Sequence, residues 1–441
     1  MLKRIRLKNF KLHEDTSIEA APITVFIGPN NSGKSSVFQA LLALRQAAAR
    51  GDNVFCQPLE RNPTSQEQPY FFPKGELVDL GDFKQAVRRG HGDLKVELAG
   101  DYAHDTSKSA FRPATVEFRV TIRENNLVVH SGMLDTGETA YGLARWQWMK
   151  GMQPGSLQLP FSIAGIQVKL SPTDNFRLIG FSGCELPPNN PPEAGDAASL
   201  IGRRLAETVL RFYQSLHPIL PIRGFEEWGF PLPGFRPSGL ELISLPDRAL
   251  ALAALLAYGR NLEEEVSKRL EDLLGIQIRS ELLPPRKVTI WARAAANQKP
   301  GTLFANEGTG ANQLPFILVP IALAQPNETI LLSEPEAHLH PKAQCDLTRM
   351  LLTVAKKENI QFFIETHSEH VLHVILNAIG KREWEPTQVA IYSFENIDGT
   401  AKVTRLEIDE QGGVKGGLPG FFDQSLGELT EYLETLKKPT V

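Results

Sequence analysis

The chain has 441 residues, of which 42% are hydrophobic and 22% charged, and its formal net charge is −4. These values are typical of a globular protein of two or three domains, and the acidic balance excludes a strongly basic surface over the whole chain. Three isolated cysteines (Cys56, Cys184 and Cys345) form no C-x-x-C pair, which argues against a zinc site and a disulfide framework. The longest apolar stretch, 314–324, is too short to span a bilayer. We therefore expect a cytoplasmic protein with no membrane contact.

The first elements in chain order are two strands, over residues 2–7 and 23–27, and a helix that runs to about residue 50. Between the second strand and the helix lies Gly-Pro-Asn-Asn-Ser-Gly-Lys-Ser-Ser (28–36), which fits G-x-x-x-x-G-K-[ST] in full. In such a loop the glycines turn backbone N–H groups towards phosphates, the lysine reaches the outer phosphate oxygens, and the next hydroxyl can bind Mg²⁺. The motif predicts a nucleoside triphosphate site formed by Gly28, Pro29, Asn30, Asn31, Ser32, Gly33, Lys34, Ser35 and Ser36.

Residues 51–286 form an inserted region that is first rich in strands and then helical. Apolar and polar residues alternate over 94–98 and 116–122, which predicts half-exposed antiparallel strands. Two later segments, 200–216 and 247–275, have the spacing of helices. No heptad pattern continues over several repeats, so we expect no long coiled-coil arm.

Three motifs in the C-terminal half supply the rest of a nucleotide site. An apolar strand predicted from residue 329 ends in acid, and Glu334, at its C-terminal tip, is the candidate general base. A second strand, which begins at residue 361, leads to His367, a polar residue able to hydrogen-bond a terminal phosphate. A glycine turn opens a helix near residue 314, and its free N–H groups form a second anion-binding end. The candidate residues of this turn are Gly308, Thr309, Gly310 and Asn312.

The acids and histidines of this region also allow a different reading, a dedicated transition-metal site. The P-loop upstream favours the reading in which they serve a nucleotide site and a contact between two chains. The residues concerned are Glu334, Glu336, His338, His340, His367 and His370.

These motifs resemble those of ABC-type ATPases, specifically the stand-alone branch related to the overcoming-lysogenization-defect and SMC proteins. Residues 28–36 resemble Walker A, 330–336 resemble Walker B, and 336–341 resemble the D-loop. Residues 365–368 resemble the switch-histidine segment, and 308–313 resemble a degenerate signature motif.

The resemblance implies an α/β fold, an ABC-ATPase head with a three-layer P-loop sheet and an N-terminal antiparallel β part. Residues 1–50 and 287–396 would form this core, and 51–286 would be a large α+β insertion. The tail, 397–441, resembles a short C-terminal domain of unknown function found in bacterial members, on the residues Gly-Phe-Phe-Asp at 420–423.

The resemblance further implies a head-to-tail homodimer with two ATP molecules at its interface, each Walker A facing the partner's signature loop. Lys34 and Ser35 would hold phosphate and Mg²⁺, Glu334 would polarise the attacking water, and His367 would contact the γ-phosphate. Residues 308–312 would cap the nucleotide of the partner.

Two features depart from the family pattern. Ser333 stands where an Asp or Glu usually supports the metal, so Mg²⁺ would be held more weakly or Glu334 would serve as a metal ligand as well as a base. We therefore expect slow turnover. No glutamine-loop residue is evident by spacing, and Gln85 is our candidate for it.

The leading hypothesis is an ATP-driven conformational switch, the ATPase subunit that controls a separate effector protein in a bacterial antiviral defence or stress system. The alternative is an SMC- or RecF-like repair ATPase that acts by binding DNA, which the acidic total opposes. A transporter's ATPase subunit fits less well, because of the long insertion and the absence of a membrane element. The residues that would favour DNA binding are Lys3, Arg4, Arg6, Arg88 and Arg89.

Overall fold

The structure is a computed structural model of the chain. It describes residues 1–55, 77–102, 114–123, 127–135, 143–148, 157–163, 166–170, 184–185, 212–213, 215–221, 223–234, 248–294 and 301–418. Most of the helix predicted over 200–216, and the predicted C-terminal domain beyond residue 418, lie outside these residues.

The described strands are β1 (Leu2–Phe10), β2 (His13–Glu19), β3 (Ile23–Ile27), β4 (Asp93–Tyr102), β5 (Ala114–Arg123), β6 (Leu127–Asp135), β7 (Leu143–Trp148), β8 (Leu157–Ile163), β9 (Ile166–Leu170), β10 (Cys184–Glu185), β11 (Leu216–Ile219), β12 (Phe230–Pro231), β13 (Ile276–Leu283), β14 (Lys287–Ala294), β15 (Thr302–Leu303), β16 (Thr329–Ser333), β17 (Gln361–Glu365), β18 (Val389–Ile397) and β19 (Thr400–Arg405). The described α-helices are α1 (Lys34–Phe55), α2 (Phe83–Ala86), α3 (Arg248–Tyr258), α4 (Arg260–Leu274), α5 (Thr309–Gln313), α6 (Pro315–Leu323), α7 (Pro341–Glu358) and α8 (Glu369–Gly380).

The central sheet carries the P-loop and has the strand order β11-β16-β17-β3-β18-β19. Its first five strands are parallel and β19 is antiparallel to β18. Every residue of β3, β16 and β17 is buried, so these strands are near-continuous apolar runs without alternation. This is the pattern of strands covered on both faces. The parallel sheet with its helices confirms the predicted α/β class.

A second, antiparallel sheet has the order β2-β1-β4-β5-β6-β7. Strand β1 pairs with β4, Ile5 lying opposite Leu98, so strands of the predicted insertion continue the N-terminal β part. Likewise β11, also within residues 51–286, forms the edge of the central sheet. The domain boundaries stay a prediction, but the inserted region shares both sheets of the core.

The amide of Gln361 joins the two sheets. Its Oε1 accepts hydrogen bonds from the backbone N–H of Leu2 and the hydroxyl of Thr329, both at 2.8 Å. Its Nε2 donates to the carbonyls of Leu2 at 2.8 Å and Ala21 at 3.0 Å. The side chain is buried and uses both donors and both acceptor positions, so it carries no desolvation penalty for an unpaired group.

The helix predicted over 247–275 is wrong in one respect, because it is two helices, α3 and α4. The chain leaves the helical conformation at Gly259, with φ −115° and ψ 80°. Glycine has the lowest helix propensity after proline, which explains the break at this position. Helix α4 ends at Gly275, which has the left-handed φ of 70°.

A smaller antiparallel sheet follows in the order β12-β14-β13, with β15 paired to β14. At its edge the hairpin of β13 and β14 leaves Leu282 59% exposed. Across the described part of the chain, no helix combines the length and the apolar character needed to cross a membrane.

An aromatic cluster lies beneath the P-loop. The ring of Phe26, on β3, is fully buried, and its centroid lies 5.1 Å from that of Phe394 and 5.6 Å from that of Phe38. Phe363 and Tyr392 lie on the neighbouring strands, at 5.9 Å and 6.3 Å from the same ring. The cluster joins β3 to both of its neighbours and to α1, and therefore supports the loop that follows β3.

We expect Phe26→Ala to lower the free energy of unfolding by about 3–5 kcal/mol, because it opens a cavity where four rings meet. Phe26→Leu should cost less, since it fills part of that volume. Urea unfolding followed by circular dichroism measures both. The control is Leu282→Ala at the exposed hairpin, for which we expect a change within about 0.5 kcal/mol. Equal costs for Phe26→Ala and the control would contradict the role of the cluster.

Candidate nucleotide site

A cavity of about 950 Å³ lies at the carboxyl ends of β3, β16 and β17. This is the edge of a parallel sheet at which ligands usually bind. Glu334, His367 and seven of the nine predicted P-loop residues line it, and so does Gln85, the predicted glutamine-loop residue. The lining P-loop residues are Asn30, Asn31, Ser32, Gly33, Lys34, Ser35 and Ser36.

The P-loop backbone is held from outside by the β18–β19 hairpin. Gly28 has φ 139°, and a Cβ atom there would lie 2.2 Å from the carbonyl oxygen of Phe394. Only glycine therefore fits this position. On the other side of the loop, the side chain of Asn396 donates a 2.9 Å hydrogen bond to the carbonyl of Asn31. The hairpin thus supports the loop conformation through contacts within the chain.

Lys34 and Ser32 are the polar side chains inside the loop. The Lys34 ammonium donates to the carbonyls of Gly28 at 2.9 Å and Pro29 at 2.8 Å, and its burial lowers its pKa. The Ser32 hydroxyl is buried and has no hydrogen-bond partner among the described residues. A buried cation beside an unsatisfied hydroxyl fits an incoming phosphate, which supplies acceptors for both.

The hydroxyl of Ser35 donates a 2.5 Å hydrogen bond to Oε1 of Glu365, the last residue of β17. Burial raises the pKa of Glu365, while the bond to Ser35 and the charge of Lys34 lower it. Glu365 lies in the segment 365–368 that resembles the switch-histidine segment, but the sequence motifs assign it no role. The available signal was the same as for Glu334, an acid at the tip of a buried strand. A serine oxygen beside carboxylates is a donor set that fits Mg²⁺ bound together with phosphate oxygens.

Glu334 has the left-handed φ of 47°, which is uncommon for a residue with a Cβ atom. Its N–H donates to the carbonyl of Glu365 at 2.8 Å. Arg223 donates from Nη2 to the carbonyl of Glu334 at 2.8 Å and from Nη1 to that of Ser333 at 3.0 Å. Arg223 therefore fixes the end of β16 from a segment more than 100 residues away, and no local pattern marks it for this role.

Glu336 positions the segment that carries His367. Its Oε1 accepts 2.7 Å and 2.8 Å hydrogen bonds from the hydroxyl of Thr366 and the backbone N–H of His367. Burial raises the pKa of Glu336 and lowers that of His367, where the charge of Lys34 acts in the same direction. The lowered pKa favours a neutral imidazole, which can donate to one group and accept from another.

The predicted signature turn lies apart from this cavity. None of its four predicted residues is among the described residues that line the cavity. Gly308 and Thr309 are exposed at the start of α5. A Cβ atom on Gly310 would lie 2.4 Å from the carbonyl oxygen of His338, so α5 packs directly on the D-loop segment.

Asn312 has a structural role that its predicted place in the nucleotide site did not include. Its Oδ1 accepts from the backbone N–H of Phe225 at 2.7 Å, and its Nδ2 donates to the carbonyl of the same residue at 2.9 Å. Both ends of the amide are thus used within the chain. The assignment of Asn312 to the nucleotide site stays a prediction.

The transition-metal reading finds no support in the described part of the chain. No group of three or more His, Cys, Asp and Glu side chains there is arranged to hold a metal ion. His340 instead caps α7, its Nδ1 accepting a 3.3 Å bond from the N–H of Lys342.

His13 supports the P-loop from β2. Its ring is fully buried, with Nε2 3.0 Å from the carbonyl oxygen of Gly33 and Nδ1 2.9 Å from the hydroxyl of Thr16. The carbonyl can only accept, so Nε2 carries the proton and Nδ1 accepts from Thr16. Burial lowers the pKa of His13 from 6.5 to about 4, which keeps the ring neutral at pH 7.

We expect His13 to make the protein less stable in acid. Below pH 6.5 the unfolded chain binds a proton at this residue, while the folded chain does so only near pH 4, so the free energy of unfolding falls across that range. Between pH 7.5 and 5.0 this residue should account for a loss on the order of 2 kcal/mol. Urea unfolding of wild type and His13→Gln at both pH values measures it. An equal loss in the variant would show that other groups cause the acid sensitivity.

Comparison with known proteins adds two family matches. The profile of the AAA ATPase domain family matches residues 1–126 and 254–372, more than half of the chain. A second profile, described as a protein of unknown function (DUF3696), matches residues 385–431. This second match confirms the predicted resemblance of the C-terminal part to a domain of unknown function.

A curated relative, the OLD nuclease of Thermus scotoductus, is 42% identical over 41 residues, which cover 9% of this chain and 8% of the relative. The match confirms the predicted relation to overcoming-lysogenization-defect proteins and spans less than a tenth of that nuclease.

Solved structures with similarity include an SMC head bound to the C-terminal winged-helix domain of ScpA, with 14% identity, a TM-score of 0.45 and coverage of 93% of this chain and 98% of the other. An SMC head domain from Thermotoga maritima has 12% identity, a TM-score of 0.40 and coverage of 92% and 99%. An SMC head with an extended coiled coil, bound to the C-terminal domain of ScpA derived from Pyrococcus furiosus, has 13% identity, a TM-score of 0.46 and coverage of 99% of both chains.

The P-loop, the acids at the ends of β16 and β17, and the extent of the family match lead to one conclusion. The chain belongs to the AAA ATPase domain family and is an ATPase.

Proposed function

We propose that the protein is a conformational switch in which two copies of the chain close head to tail on two ATP molecules bound with Mg²⁺, and open after hydrolysis. Lys34 and Ser35 bind the phosphates and the cation, Glu334 activates the attacking water, and His367 contacts the terminal phosphate. The signature turn of one chain caps the nucleotide held by the other.

The observation that carries this proposal is that the two segments predicted to bind phosphate, the P-loop and the signature turn, lie apart within one chain. The P-loop opens into the cavity, whereas Gly308 and Thr309 are exposed outside it. Gly308 has φ −57° and ψ 143°, and a Cβ atom there would meet nothing within 4 Å. An exposed turn at the start of α5 is available to the nucleotide of a second copy.

We further propose that the switch controls a separate effector protein in a bacterial antiviral defence or stress system. The support is the match to the OLD nuclease, a protein whose name carries a nuclease activity.

The alternative, DNA binding through the N-terminal basic residues, gains little from the structure. The Lys3 ammonium lies 2.6 Å from a carboxylate oxygen of Asp101, and Arg6 lies 2.7 Å from Asp15. The Arg88 guanidinium lies 3.9 Å from a carboxylate oxygen of Glu14. These cations are therefore partly neutralised within the chain. A steep fall of DNA affinity with salt would still favour the alternative.

Substitutions in the cavity test the ATPase roles. Lys34→Ala should weaken ATP binding by about 100-fold, because it removes the cation that meets the phosphates. Glu334→Gln should keep ATP binding, slow hydrolysis by about 10²–10⁴-fold and accumulate an ATP-bound dimer. Fluorescent-nucleotide titration, phosphate release and light scattering after gel filtration measure these effects. Glu410→Gln, which changes an exposed acid, is the control. Multiple turnover at the wild-type rate in Glu334→Gln would contradict its assignment.

Mixed dimers test the head-to-tail arrangement. Gly308→Glu is tolerated sterically in its own chain but places a negative charge against the phosphates of the partner. Alone, it should bind ATP without hydrolysing it. An equal mixture of Gly308→Glu and Lys34→Ala chains forms one intact site in half of its dimers, so it should recover measurable turnover, at most about a quarter of the wild-type value.

The matched control for this experiment mixes Lys34→Ala with Glu334→Gln chains. Lys34 and Glu334 serve the same cavity of one chain, so this pair leaves no intact site and should recover nothing. Recovery in both mixtures, or in neither, would contradict a site shared between two chains.

A further inference from the structure

The end of β16 lacks the carboxylate that would support a metal ion, and the end of β17 has one. Ser333 occupies the last position of β16. In the parallel pairing of β16 with β17, Ser333 lies opposite Glu365, and in the pairing of β17 with β3, Glu365 lies opposite Phe26. Glu365 therefore stands at the same level as Ser333, one strand closer to the P-loop strand.

The side chain of Glu365 is directed at the P-loop. Its Oε1 accepts the 2.5 Å hydrogen bond from the Ser35 hydroxyl, and it lines the nucleotide cavity although the residue is only 3% exposed. Its backbone carbonyl accepts from the N–H of Glu334. Side chain and main chain are thus fixed between the P-loop and the candidate general base, which is where a metal-supporting acid has to act.

We propose that Glu365 takes the place of the missing acid at position 333, supplying the negative charge of the Mg²⁺–ATP site and orienting Ser35. A hydroxyl that donates its proton to a carboxylate keeps its lone pairs for a cation. Mg²⁺ in nucleotide sites is commonly bound through one or two carboxylates and the substrate phosphates. This inference rests on the proposed function, that the cavity binds Mg²⁺–ATP.

A serine at position 333 leaves open which acid supports the metal ion. With a serine at this position, either Glu334 serves as both base and metal ligand, or another acid supports the metal. Ser35 is hydrogen-bonded to Glu365, and the Glu334 backbone is held by Arg223 and Glu365. Assigning the metal to Glu365 leaves the Glu334 carboxylate free to act on water.

A double-mutant cycle tests whether Glu365 does the work of an acid at position 333. The four proteins are the full chain, Glu365→Gln, Ser333→Asp and the double variant. Mn²⁺ is the probe, added with a non-hydrolysable ATP analogue, and free Mn²⁺ is read by electron paramagnetic resonance. Binding of the analogue in EDTA is measured separately. Asp398→Asn removes another acid that lines the cavity, and serves as the control for general charge.

We expect Glu365→Gln to weaken Mn²⁺ binding by about 10–100-fold, while analogue binding in EDTA is kept. Ser333→Asp alone should change Mn²⁺ affinity by less than about threefold, but in the Glu365→Gln background it should restore most of the loss, which is the non-additivity of two groups with one role. Unchanged Mn²⁺ affinity in Glu365→Gln, additive effects in the cycle, or an equal loss in Asp398→Asn would overturn the inference.

Two further results keep the test decisive. If Glu365→Gln does not fold, Glu365→Asp keeps the charge but shortens its reach, and it should bind Mn²⁺ more weakly than wild type and be rescued by Ser333→Asp. Wild-type affinity in Glu365→Asp, or no rescue, would overturn the inference. If the wild-type chain binds no analogue at all, the proposed function itself fails, which is distinct from a failure of Glu365 alone.

Discussion

The parallel register of β16, β17 and β3 is the constraint on which the site depends. It brings Ser333, Glu365 and Phe26 to one level, directly below the loop that follows β3. A shift of one residue would turn Glu365 away from Ser35, because neighbouring residues of a strand point to opposite faces. Burial of every side chain in these strands stabilises this register, since a slip would disrupt close packing on both faces of the sheet. The chemistry at the edge of the sheet is therefore a consequence of the packing of its core.

The P-loop is shaped by elements that are distant in sequence. His13 contacts the carbonyl of Gly33 from β2, and Asn396 contacts that of Asn31 from the β18–β19 hairpin. Phe394 supplies the carbonyl that restricts position 28 to glycine. These contacts fix the loop before a nucleotide arrives, so that less conformational entropy is lost on binding. Residues outside the motif therefore contribute to the conformation of the P-loop.

Local patterns were enough to predict the elements that carry the site. The apolar run of β3 with its glycine loop, and the buried strands that end at Ser333 and Glu365, are readable because each pattern lies within a few residues. The pairing of β1 with β4, the bonds of Arg223 to the end of β16, and the pairing of Asn312 with Phe225 were not predictable in this way. Each depends on which distant segments the fold brings together, and a single sequence carries no local signal for that.

One such distant segment joins the two halves of the site. Arg223 donates to the carbonyl of Glu334, and two residues later Phe225 pairs with Asn312 on α5. Gln313, on the same helix, donates to the carbonyl of Ala337, and the N–H of Ala337 donates to the carbonyl of Glu334 at 3.2 Å.

The signature turn and the candidate base therefore belong to one hydrogen-bonded unit, although they would serve different nucleotides in the proposed dimer. A displacement of the turn by the nucleotide of the partner would move the backbone of Glu334 through two routes, the Arg223 segment and the D-loop, which meet at the carbonyl of Glu334. Closely packed units of this kind respond by discrete shifts and not by gradual deformation. Occupancy of one cavity would then bias the geometry of the other, and two copies of the chain would act as a coupled switch and not as two independent hydrolases.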